Sequence, residues 1–125
     1  MSAFKLDHMH ILSPNVEATA TWFERMFGAE IIRTTQQGKP RIDLKLGGAD
    51  IFIAPLPPDA KPNPANPYQG LDHFGLTVQN LDKVVTELKA KGVTFTTEPH
   101  EVRPGTRIAF LRTPDGVRIE LLQRS

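Results

Sequence analysis

Cysteine is absent from the 125 residues. That removes disulfide bridges, thiolate metal sites and a cysteine nucleophile, and it is compatible with a reducing cytosol. Long apolar runs are missing as well. Nothing approaches the roughly 20 apolar residues of a membrane-spanning helix, and the opening MSAFKLDHMH lacks the apolar stretch of a secretory leader. A soluble, cytoplasmic protein with no membrane partner is expected. There is no excess charge of one sign either. Fifteen Lys and Arg face fourteen Asp and Glu, with no basic block that would track a polyanion, so nucleic acid is not an expected partner. The length fits one compact domain able to bury a core without staples.

What the chain does have is an internal repeat. Residues 6–17, LDHMHILSPNVE, reappear at 71–82 as LDHFGLTVQNLD, so that Leu6, Asp7, His8 and Asn15 return as Leu71, Asp72, His73 and Asn80. In each copy a strand leads to an Asn placed to cap a helix. Val16, Ala20, Phe23 and Phe27 then share one helical face in the first copy, and Leu81, Val84, Val85 and Leu88 do so in the second. Gly28 and Gly92 follow as expected C-caps. Three short strands come after each helix: 30–34, 41–46 and 50–54, then 94–97, 107–111 and 117–123. The turn formers Gly47-Gly48 and Pro114-Asp115-Gly116 join the last two strands of each set as hairpins.

The pattern predicts an α+β protein of two tandem βαβββ modules forming a cupped mixed sheet around one site, within a single domain. Module 1 covers about residues 4–56 and module 2 about 70–125. Between them, at about 57–69, lies the core of PLPPDAKPNPANPYQG, a stretch with six of the eleven prolines, which reads as a linker or a loop over the site. Residues 98–106, EPHEVRPGT, are expected as a solvated loop between strands, with a lid as the other reading. His100 there has no support from the repeat and is left out of the site.

Side chains alternate across a strand, so parity decides which of them meet. On strand 5–12, Met9 and Ile11 suit helix packing, which sets His8 and His10 on the opposite face. On the matching strand of module 2, Phe74, Leu76 and Val78 pack and leave His73, Gly75 and Thr77 opposite. On the last strand, Val117, Ile119 and Leu121 pack and leave Arg118 and Glu120 opposite. Two imidazoles and one carboxylate thus reach the faces away from the helices. Such a set suits Fe, Mn, Ni, Co or Zn, and three protein ligands leave positions open for substrate or water. One divalent metal ion held by His8, His73 and Glu120 is the expected cofactor.

LDHMHILSPNVEATATWF, GLDHFGLTVQNLDKVVTELKAKGV and FLRTPDGVRIELLQ together resemble the vicinal oxygen chelate superfamily of glyoxalases, extradiol dioxygenases, fosfomycin-resistance transferases, methylmalonyl-CoA epimerases and bleomycin-binding proteins. The most specific piece is the PDGxxxE pattern of Pro114, Asp115, Gly116 and Glu120. The resemblance implies that Glu120 is the carboxylate ligand and that His8 and His73 are the histidines that open the modules. It also exposes a departure. Aligning GADIFIAP with GVRIELLQ sets Phe52 opposite Glu120, where four-ligand relatives carry Glu or Gln, and phenylalanine cannot ligate.

The resemblance implies a metal-dependent enzyme acting on a small substrate chelated through two adjacent oxygens, either as a lyase or isomerase or as a ring- or C–C-cleaving dioxygenase. The alternatives are a metal-free drug-binding protein of the bleomycin-resistance type and a fosfomycin-type thiol transferase. His10 is the candidate general base. Arg118 either binds a substrate carboxylate through its planar fork or neutralises a buried acid. Asp50, Phe52 and Thr77 are expected to line the substrate pocket, and Trp22 to pack between helix and sheet or at a subunit contact. A homodimer is expected, in which His8 can meet His73 and Glu120 of the other copy.

Overall fold

The computed structural model describes residues 2–62 and 67–125; residues 63–66, inside the expected linker, lie outside the described residues. The chain divides into two compact units, Met1–Lys61 and Pro62–Ser125. The first holds β1 (Met9–Ser13), α1 (Val16–Phe27), β2 (Glu30–Gln36), β3 (Lys39–Leu46) and β4 (Ala49–Pro55). The second holds β5 (Phe74–Thr77), α2 (Leu81–Ala90), β6 (Phe95–Arg103), β7 (Thr106–Arg112) and β8 (Arg118–Arg124). Each unit is one βαβββ module with its own four-stranded sheet, ordered β1-β4-β3-β2 and β5-β8-β7-β6. In both, the first strand runs parallel to the last and the remaining pairs are antiparallel. The helix is the crossover that a parallel pair requires.

Local chemistry sets the helix ends. Asn15 and Asn80 sit in extended backbone and accept from the N–H groups of Ala18 at 3.0 Å and Lys83 at 3.2 Å, satisfying donors that the first turn would leave orphaned. Helix α1 ends at Gly28, whose φ of 71° is left-handed and whose N–H returns to Glu24. In α2 the cap falls on Lys91, with Gly92 one residue beyond it at φ 95°, so the second C-cap lies one residue earlier than the sequence pattern suggests. The β3–β4 hairpin closes on Gly47 and Gly48, both at positive φ, as a two-residue turn matching the twist of its strands requires.

Alternation then separates core from open face. In unit 1, Ile11, Ile42, Leu44, Ile51 and Ile53 are buried against Ala20 and Phe23 of α1; in unit 2, Ala109, Leu111, Ile119 and Leu121 are buried against Leu81, Val85 and Leu88 of α2. The buried stripe of α1 is Thr19, Ala20, Phe23 and Met26. Val16 and Phe27, expected on that stripe, are only half-buried. Thr19 takes the inner place because its hydroxyl donates to Ser13 at 2.7 Å, so a buried polar pair is satisfied where an apolar residue would otherwise stand. Trp22 is half-buried and makes edge contacts with Phe23 and Phe27 at 5.3 Å each.

Two expected boundaries are corrected. The first strand starts at Met9, so His8 precedes it instead of lying within a strand from residue 5. More consequentially, residues 98–106 are neither a solvated loop nor a lid. Strand β6 runs on to Arg103 and pairs with β7 through His100 with Ile108, Glu101 with Arg107 and Arg103 with Thr106, leaving only the turn at Pro104-Gly105. Pro99 lacks a backbone donor and is a sequence signal for a break. It is accommodated because β6 is an edge strand and the pairing shifts register between Thr97 and His100.

Candidate functional site

The open face of module 2 is built around β5 and β8. His73 stands just before β5, and Glu120 lies on β8 opposite Gly75 in register. Glu120 shares this face with Arg118, while Ile119 and Leu121 turn into the core. His73 Nε2 lies 3.3 Å from Glu120 Oε1, and His73 Nδ1 lies 2.6 Å from Asp72 Oδ2. Arg118 donates to the same Asp72 oxygen. The hydrogen bond from His73 above all, with the positive charge of Arg118, holds the Asp72 carboxyl below its ordinary value of 3.8. Phe110, opposite Glu120 on β7, is buried beneath the group: the His73 ring meets it edge-on at 4.9 Å, and the Arg118 guanidinium lies 3.9 Å from its centroid.

This geometry suits a cation. Nδ1–H donates to Asp72, which directs the other ring nitrogen, Nε2, at a Glu120 carboxylate oxygen. Two donors that each lie about 2.0–2.1 Å from one ion at a tetrahedral angle stand roughly 3.3 Å apart, which is the separation found here. Gly75 leaves open the space beside Leu122 and Glu120. A Cβ there would come within 3.0 Å of Leu122 Cδ1 and 3.6 Å of Glu120 Oε1. Thr77 is exposed on β5, opposite Leu122.

Module 1 places His8 just before β1 in the position equivalent to His73, with Nδ1 2.7 Å from Asp7 Oδ2. Phe52 occupies the register position of Glu120, opposite His10 on β1 and Asp43 on β3. The His8 ring stacks on Phe52 at 4.0 Å and 22°, and the exposed His10 meets Phe52 edge-on at 6.2 Å. Arg41 lies over the Phe52 ring at 4.3 Å while its Nε donates to both Asp43 oxygens at 3.0 and 3.2 Å. Asp50 does not join this group. It accepts from Lys45 at 2.6 Å, which raises the Lys45 pKa above its ordinary 10.5.

Each unit thus assembles its own part of the expected site: His8, His10 and Phe52 in one, and His73, Glu120 and Arg118 in the other. Among the described residues no three His, Cys, Asp or Glu side chains form a group able to hold a metal ion. The residues that sequence reasoning missed are Asp7, Asp72, Phe110 and Arg41. For the two aspartates the signal was present, since the repeat carries Asp-His in both copies and a ring nitrogen next to a carboxylate needs no long-range fold to find it. Phe110 was accessible through strand parity. Nothing local to Arg41 announces that it will cover Phe52.

Comparison with known proteins agrees with this architecture. The YwkD protein of Bacillus subtilis, which is uncharacterised, is 32% identical over 127 aligned residues covering 95% of this chain and 96% of that protein. A probable chloroplastic lactoylglutathione lyase of Arabidopsis thaliana is 46% identical over 56 residues, 44% of this chain and only 16% of the plant protein. The crystal structure of a glyoxalase family protein from Enterococcus faecalis superposes with a TM-score of 0.75 at 25% identity, covering 98% of this chain and all of that one. The family model for the Glyoxalase/Bleomycin resistance protein/Dioxygenase superfamily matches residues 5–121, and the chain belongs to that superfamily.

Proposed function

We propose that the protein is a divalent-metal-dependent enzyme of this superfamily, acting as a lyase or isomerase on a small substrate that offers two adjacent oxygens. The observation that carries the reading is the His73–Glu120 pair, 3.3 Å apart with the far nitrogen of the imidazole held by Asp72. A ligating histidine whose second nitrogen is fixed by a carboxylate is the usual support of a metal site. His8, with the same Asp partner, is the third ligand in this proposal, from the same chain or from a second copy in a homodimer. The ion would be Fe, Mn, Ni, Co or Zn. When bound, it would receive the two substrate oxygens and offset the negative charge that develops on them. His10, exposed on the open face of β1, is the proton acceptor in this reading. The short stretch similar to a lactoylglutathione lyase favours lyase or isomerase chemistry over ring cleavage.

The test is metal content by mass spectrometry on protein purified anaerobically without a chelating tag, beside His73→Ala. Near-stoichiometric metal that is lost in the variant is expected, with affinity falling by more than the roughly 100-fold that loss of an outer partner costs. Unchanged metal in the variant would overturn the assignment. A second reading is favoured by one observation, the stack of His8 on Phe52 at 4.0 Å, which builds an aromatic wall where four-ligand relatives place a fourth ligand. Such a wall suits metal-free capture of a flat ligand, and protein that takes up no metal even on reconstitution would decide for it.

A further inference from the structure

Asp72 Oδ2 serves two donors, His73 Nδ1 at 2.6 Å and the Arg118 guanidinium, which reaches it from 46 residues along the chain. Phe110 contacts both, with its ring near-perpendicular to that of His73 and its face against the guanidinium. The equivalent pair in module 1 has the same Asp–His bond at 2.7 Å, but the Asp7 side chain is 85% exposed and, among the described residues, no guanidinium reaches it. His73, Asp72, Arg118 and Phe110 are therefore linked by contacts, whereas around His8 the guanidinium over the aromatic ring, Arg41 over Phe52, bonds Asp43 and not the aspartate beside the histidine. In Arg118, Nη1 is committed to the Asp72 carboxylate and one side of the guanidinium plane to the Phe110 face.

We propose that Arg118 is a positioning residue: it fixes Asp72, and Asp72 fixes the His73 ring with Nε2 turned toward Glu120. The assignment rests on the reading of His73 as a metal ligand only for its effect on affinity, because the ordering of the ring needs no metal. A carboxylate that can rotate freely holds an imidazole in several orientations. One clamped by a charge-assisted bond holds it in one.

The experiment uses metal-free, full-length protein labelled with ¹⁵N-histidine. In the wild type, the His73 Nδ1–H proton is expected to exchange slowly with water and that of His8 quickly. Arg118→Gln is expected to make His73 exchange like His8, and Arg118→Lys to restore part of the protection. Zinc affinity, read by competition with a chromophoric chelator, is expected to fall about 10-fold in Arg118→Gln, at the lower end of outer-partner losses, and to recover partly in Arg118→Lys. Should Arg118→Gln fail to fold, Asp72→Asn is expected to show the same loss of protection. Protection of His73 unchanged in a folded Arg118→Gln protein would overturn the positioning role. A wild type that binds no zinc but loses protection on substitution would overturn the metal reading and leave the positioning role standing.

Discussion

At the first strand of each module an aspartate holds the following histidine by the same bond, 2.7 Å for Asp7–His8 and 2.6 Å for Asp72–His73. What meets the other side of each ring differs. In module 2 it is the carboxylate of Glu120; in module 1 it is the flat face of Phe52, at the same place in the register. The surroundings differ in step with that exchange. His10 in module 1 answers to Gly75 in module 2, and Asp43 to Phe110. A duplicated backbone can therefore keep one half as a charged, donor-bearing face while the other becomes aromatic. The centre of each core is kept, since Leu44 and Ile51 answer to Leu111 and Ile119, all fully buried.

The comparison can be broken at its strongest point first. Leu44→Ala and Leu111→Ala each remove a side chain with no exposed surface, and each is expected to cost about 2–5 kcal/mol. Urea denaturation is expected to show one transition, moved similarly by either change. Two separate transitions, each sensitive to one variant, would make the modules independent folding units. A smaller effect is expected from Phe52→Glu, which gives module 1 the residue type of module 2. Loss of the His8 stack should destabilise by about 0.5–1.5 kcal/mol, while calorimetric titration with zinc is expected to show tighter binding through a fourth donor. Weaker binding would mean that Phe52 matters chiefly for holding His8.

The smallest effect concerns the hairpin ends. At equivalent positions module 1 pairs Lys45 with Asp50, whereas module 2 sets Arg112 opposite Arg118 and relieves the like charges by sending Arg112 to the Gly116 carbonyl and Arg118 to Asp72. The Asp50 hydrogen bond raises the Lys45 pKa, so any stability it adds is fully present below the ordinary 10.5 and is lost as pH rises through the higher folded value. Denaturation midpoints of wild type and Lys45→Met should differ slightly at neutral pH and converge in strong alkali. A gap that persists there would assign the difference to packing of the lysine stem.

How much of this was legible depended on distance along the chain. The repeat, the Asn caps and strand parity are local patterns, and they are enough to put His73, Glu120 and Arg118 on one face. The Arg118–Asp72 contact spans 46 residues and joins two side chains that no periodicity links, so it was invisible. Phe52 was recognised as a departure, but its stacking on His8 depends on where the segment before β1 settles. The extent of β6 was lost for another reason: Pro99 signals a break, and only the strand's place at the edge of the sheet makes the proline tolerable.

That proline has a consequence for how copies of the chain coexist. At nine residues β6 is the longest strand among the described residues, and an edge of that length offers a row of backbone groups onto which a stranger's strand could zip. Pro99 removes one donor from the row, the shifts around His100 bend it, and the charges of Glu98, Glu101 and Arg103 discourage a flat partner. The same irregularity that hid the strand from the sequence reading guards the protein against sheet-to-sheet aggregation, and replacing Pro99 with valine would remove one part of that guard.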